Sequence, residues 1–221
     1  WGMGTPVEIE FAVDLCRKPH EFGLLQLRPF VLNRELEDLE LSDMPREKVI
    51  CRSDHVLGHG TIRDIFDIVL VDRDAFERAQ SSEAAREISL LNAEQLAEKR
   101  PYLLVTVGRL GSLDPWLGIP VTWDQIAGAR AIVETNFKDF TVEPSQGSHF
   151  FQNLTSFSVG YFSINSENQT NFVDWEWLLT RTPLKSLKFV RLLRLSQPLI
   201  IKINGQQNRG YILKPEEERL G

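Results

Sequence analysis

Two cysteines, Cys16 and Cys51, are all that this chain of 221 residues contains. They cannot build a disulfide framework, and the expectation is a reduced, cytoplasmic protein. Apolar runs of the roughly 18 to 20 residues that a membrane span needs are missing. So is a charged-then-apolar leader pattern at the amino end. Positive charge is not in excess: 25 lysines and arginines face 31 aspartates and glutamates, a net charge of −6. That balance argues against nucleic acid as a main partner, because phosphate binding asks for a basic face. Histidine is scarce, with only His20, His55, His59 and His149. His55 and His59 have the spacing of a zinc helix, but Val56 stands where the protease motif has glutamate. Gly58 and Gly60 mark a turn there, and no nearby cysteine or histidine completes a set of four ligands. His20 reads as a solvated loop residue.

What is present is an ordinary globular composition, 42% hydrophobic and 25% charged, which excludes wholesale disorder. In "PVEIEFAVDL", Val7, Ile9, Phe11 and Val13 alternate with Glu8, Glu10 and Ala12, the period of a half-buried strand. "LLQLRPF" repeats the alternation, with Gln26 and Arg28 between leucines, so residues 1–30 read as a β-hairpin. Paired in register, its polar face joins two carboxylates to an amide and a guanidinium. That set suits a metal–phosphate ligand, and it equally suits a solvated face with salt bridges. The sequence enters this strand almost at once, so the expectation is a piece of a longer polypeptide. Residues 31–48 are charged and read as a linker.

Beyond them, strands and helices alternate as in an α/β layer. Strands are expected in "VICRSD", "IFDIVLVD", "YLLVTVG", "RAIVETNF" and "VGYFSI". Two helices are expected over residues 74–98, and "DPWLGIPVTWDQIAGA" reads as a loop leading into another. A closing hairpin is expected in "PLIIKINGQQNRGYILKP". Arg181, Lys185, Lys188, Arg191 and Arg194 fall in a stretch without acids. It reads as the wet side of an amphipathic helix, or else as a surface for a phosphate-bearing partner.

"GSHFFQNLTSFSVGYF" raises a different question. Phe150, Leu154, Phe157 and Tyr161 recur at helical spacing, and Ser148 is a suitable N-cap. His149 then stands at the first helical position, where free N–H groups and the helix dipole favour anions. An imidazole of ordinary pKa, about 6.5, is largely neutral at neutral pH and can act as a nucleophile. The pattern fits a phosphohistidine; it also fits an incidental histidine at a helix start.

Several segments, taken in order, resemble the phosphoenolpyruvate synthases and pyruvate, phosphate dikinases. "VEIEFAVD…FGLLQLRPF" resembles the strand pair that ends their ATP-grasp domain. "DHVLGHGTIRDIFDIVLVD", "YLLVTVG" and "AGARAIVETNF" are similar to strands of their swivelling domain. "GSHFFQNLTSFSVGYF" occupies the place of the Thr-Ser-His-Ala-Ala helix, and "IKINGQQNRGYILKP" resembles the closing hairpin. The resemblance implies a swivelling β/β/α phosphohistidine-type domain over residues 49–221, with an insertion at about 166–197, after the terminal hairpin of an ATP-grasp domain at 1–30. It implies that Glu10 ligates the metal, that Gln26 and Arg28 serve the nucleotide, and that His149, with Gly147 and Ser148 in its loop, carries the phosphoryl group. ATP and Mg²⁺ would be the cofactors, and upstream domains would meet the nucleotide and a small-molecule acceptor such as pyruvate. The sequence departs from the family pattern at Gly147, where a threonine is usual, and at Phe150 and Phe151, where small residues are usual. The barrel for phosphoenolpyruvate and most of the ATP-grasp domain are not in these residues. The expectation is therefore a C-terminal fragment of a phosphotransferase that is not active alone, the alternative being a non-catalytic binding or regulatory module.

Overall fold

A computed structural model describes residues 7–29, 41, 43–137, 159–164 and 170–216. The chain divides into two units, Trp1–Leu36 and Glu37–Gly221.

The first unit is an antiparallel hairpin of β1 (Val7–Asp14) and β2 (Glu21–Pro29). Its register changes between Glu10 and Phe11: Glu10 lies opposite Gln26, but Phe11 lies opposite Leu24. Leu25 is thus the extra residue of a β-bulge, which lets Phe22 and Leu24 share a face with Phe11 and Val13 although the leucines are adjacent. Phe11 and Phe22 stack across the strands at 5.2 Å. In the turn, Asp14 Oδ1 accepts the Cys16 N–H at 2.8 Å, and Arg17 bridges Asp14 and Glu21.

The second unit is built from sheets, with few helices. Its chain runs β3 (Val49–Ser53), β4 (Val56–Leu57), β5 (His59–Ile62), β6 (Asp67–Val71), α1 (Ser81–Ala97) and β7 (Tyr102–Val107). There follow β8 (Arg109–Leu110), β9 (Gly118–Ile119), β10 (Ala129–Thr135), β11 (Gly160–Ile164), β12 (Phe172–Val173) and α2 (Trp175–Thr180). Then come β13 (Lys185–Ser186), β14 (Val190–Arg194), β15 (Ile200–Asn204) and β16 (Arg209–Leu213). Seven strands form one sheet in the order β13-β14-β6-β7-β10-β11-β4, and five form another, β12-β3-β16-β15-β5. In the larger sheet β6, β7, β10 and β11 are parallel and lie in chain order. Parallel crossovers are almost always right-handed, so a run in one direction sends every connection over the same face. The core follows that rule. Val69, Leu104 and Ile132 pack with Ile88 and Leu91 of α1 on one face, whereas Ile68, Leu103 and Val133 pack against Cys51, Ile201 and Ile212 of the smaller sheet. Strands covered on both faces carry no polar alternation, which is why "DIVLV" and "YLLVTV" read as apolar runs.

Three local expectations are corrected. Residues 74–98 make one helix, not two: Asp72 Oδ1 accepts the N–H groups of Asp74 and Ala75, a 3-10 turn follows at Arg78–Gln80, and α1 begins only at Ser81. The helix expected within "DPWLGIPVTWDQIAGA" is only a 3-10 turn, Trp123–Ile126, closed by a capping box between Thr122 and Gln125. The basic run is not the wet side of a helix. Lys185 lies on β13 and Arg191 and Arg194 on β14, which pairs antiparallel with β6. The expected insertion at 166–197 thus contributes a strand inside the larger sheet. Among the described residues no helix is long and apolar enough to cross a membrane.

Candidate functional site

In the hairpin, the bulge leaves the polar rungs in register on its amino-terminal side. Glu10 stands opposite Gln26, and Glu8 opposite Arg28 two residues away, at positions of the same strand parity. The side chains of Glu10 and Gln26 are both exposed. A carboxylate and an amide oxygen are brought together here as strand parity predicts.

In the second unit, the feature that organises a site is the carboxyl edge of the parallel strands. β6, β7 and β10 end side by side at Val71, Val107 and Thr135, and open α/β sheets bind ligands at such an edge. β10 and β11 are parallel, so the chain between them leaves from this edge and re-enters at the opposite one. Both described ends of the connection, Phe137 and Val159, pack in the core on the α1 side of the sheet. His149, Gly147 and Ser148 belong to this connection and lie outside the described residues.

The departure point is fixed by a residue that sequence reasoning missed. Glu134, buried at the end of β10, accepts the Leu110 N–H at 2.8 Å through Oε1, and Tyr161 of β11 donates its hydroxyl hydrogen to Oε2. One carboxylate thereby ties β8, β10 and β11 together where the connection starts. Thr135 adds a bond from Oγ1 to the Thr106 carbonyl at 2.9 Å. The signal was an acid at the last turn of pleat in an otherwise apolar strand, since a buried carboxylate needs dedicated partners.

The basic run is engaged by acids that are distant in sequence. Lys185 pairs with Glu94, Lys188 with Glu83 at 3.2 Å, Arg191 with Asp72, and Arg194 with both Asp67 and Glu98 at 2.7 and 2.8 Å. Arg181 lies over the Trp177 ring at 4.4 Å. Gly58 and Gly60 have φ of 106° and 123°, the left-handed region that glycine adopts readily, so His55 and His59 flank a turn rather than line one face of a helix. Among the described residues no group of three or more metal-binding side chains is found.

No protein-family model matches the chain, and neither a curated protein nor a solved structure matches it.

Proposed function

We propose that the chain is part of an ATP-dependent phosphotransferase similar to the phosphoenolpyruvate synthases. In this reading Glu37–Gly221 is a carrier of the swivelling phosphohistidine type, and the hairpin closes the nucleotide side of an ATP-grasp domain. The observation that supports it most is the parallel crossover from β10 to β11, because the Gly147-Ser148-His149 motif falls in the connection that leaves the carboxyl edge of the sheet. The hairpin adds independent support, with Glu10 opposite Gln26 in the ladder.

Mg²⁺ prefers oxygen ligands and commonly takes one or two protein carboxylates, the rest coming from phosphates and water. Exposed Glu10 and Gln26 fit a contribution to such a site, which other residues must complete. Bound there, Mg²⁺ and ATP supply the phosphoryl group and neutralise its charge. Arg28 and Gln26 hold phosphate and sugar oxygens in line for transfer, and positioning of this kind supplies most of the acceleration in phosphoryl transfer. An unprotonated ring nitrogen of His149 takes the group, forming a P–N bond as a P–O bond breaks. At a second site the P–N bond breaks as a P–O bond forms to the acceptor, pyruvate or another small molecule.

Phe150 and Phe151 favour a second reading, a binding or regulatory module that keeps the fold without the transfer. Incubation of the longest natural protein containing this chain with labelled ATP and Mg²⁺ separates the two. Transfer gives acid-labile label that His149→Ala removes and Glu10→Ala reduces at least tenfold, the lower end of what a catalytic group contributes. Absence of acid-labile label leaves the second reading.

A further inference from the structure

At the carboxyl edge of β6 and β7 lies a cleft of about 530 Å³, within the usual range for small-molecule sites. Its walls carry Arg73, Asp74, Glu77, Arg78, Trp116 and Phe137. Arg78 lies over the Phe137 ring at 4.8 Å and over the Trp116 ring at 5.4 Å. With its flat faces against rings, a guanidinium presents the N–H groups along its edge, the geometry that matches a carboxylate. Arg73 lies over Trp175 at 4.9 Å, and its Nε–H is buried without a hydrogen-bond acceptor, 3.7 Å from the nearest Asp74 oxygen. Trp116 is 67% exposed on a fastened loop: its N–H donates to Asp114 Oδ1 at 2.9 Å, and the N–H groups of Leu117 and Gly118 donate to the Asp114 carbonyl. The indole is a wet, apolar platform in a cleft that two cations also line. Two carboxylates, Asp74 and Glu77, bring the formal charge of the walls to zero, which disfavours a polyphosphate and suits a single negative charge.

We propose that this cleft binds a small aromatic monocarboxylate, its ring against Trp116 and its carboxylate on the guanidinium edges of Arg78 and Arg73. The proposal does not rest on His149 and stands whether or not that histidine carries a phosphoryl group. Saturation-transfer NMR on the 221-residue chain tests it with benzoate, benzyl alcohol and adenosine monophosphate as probes. Benzoate gives saturable transfer, and benzyl alcohol binds at least about tenfold more weakly, because it cannot make the charge-assisted hydrogen bonds. Arg78→Gln and Trp116→Ala each weaken benzoate by about tenfold. The exposed Trp116 can be removed without touching the core, so that variant decides alone if Arg78→Gln fails to fold. No transfer to benzoate, transfer indifferent to Trp116→Ala, or a preference for the nucleotide overturns the proposal.

Discussion

Asp67 has no exposed surface, yet it keeps its charge. It opens β6 at the edge of the sheet opposite the cleft, and Arg100 Nε and Arg194 Nε donate to its two oxygens at 2.5 and 2.7 Å. Burial pushes the carboxyl up, but these donors pull harder, and its pKa falls below the ordinary 3.8. A carboxyl depressed in the folded state contributes stability in full above its unfolded value, about 4, and loses it as pH falls through the folded value. Asp67→Asn is therefore expected to cost roughly 3 kcal/mol at neutral pH, because two guanidiniums lose their counter-charge. In urea unfolding the gap to the unsubstituted chain should narrow below about pH 4. A gap that stays constant into strong acid would show that the carboxylate charge is not what holds this cluster. At the same scale, Glu10 and Gln26 could be paired from strand parity alone, whereas the bulge at Leu25 could not. Adjacent leucines in "GLLQL" interrupt the alternation, and only the partner strand reveals which one is extra.

Elements differ in how much of themselves they show in sequence. The runs that became β6, β7 and β10 were legible because strands sandwiched between a helix layer and a second sheet need apolar residues throughout. "LKFVRLLRL" was not, since its apolar residues satisfy both a helical and an extended period. What decides is remote: β14 pairs with β6, and Glu87 of α1 accepts the N–H groups of Phe189 and Val190 at 2.9 Å each and that of Lys188 at 3.1 Å. Glu87→Ala should accordingly cost about 1–3 kcal/mol, by leaving buried donors unpaired. Lys188→Ala removes solvent-screened contacts of a half-exposed side chain, the ion pair to Glu83, a hydrogen bond to Gln80 and a position over the Phe189 ring, and should cost less than about 1 kcal/mol. Thermal denaturation of the two variants checks that order, and equal losses would contradict it. The contact between the sheets gives another test. A Cβ on Gly210 of β16 would lie 2.5 Å from Phe162 Cε1 and 3.0 Å from Val56 Cγ1. Gly210→Ala should overpack this layer and cost about 1–3 kcal/mol; an unchanged unfolding midpoint would mean that Phe162 moves aside freely.

For the molecule as a whole, one topological choice links the fold to the proposed function. Four parallel strands laid down in chain order carry α1, Phe137 and Val159 on one face, and the other packs against the five-stranded sheet. The same choice gathers the ends of β6, β7 and β10 on one edge, where Glu134 anchors the connection that contains His149. The mixed α/β class was legible in the alternation of strand and helix, but not the extent to which sheets outweigh helices. The proposed role of His149 rests on its sequence context, a serine before it and apolar residues at helical spacing after it, and on its place between the parallel strands β10 and β11; Tyr161, expected to extend that spacing, lies on β11. The most direct measurement is mass-spectrometric mapping of the longest natural protein containing this chain after incubation with ATP and Mg²⁺, digested at neutral or alkaline pH to preserve phosphoramidates. A phosphoryl adduct is expected on the peptide bearing His149, with its loss after brief acid treatment. An adduct confined to another residue, or none under conditions in which ATP is consumed, would contradict it.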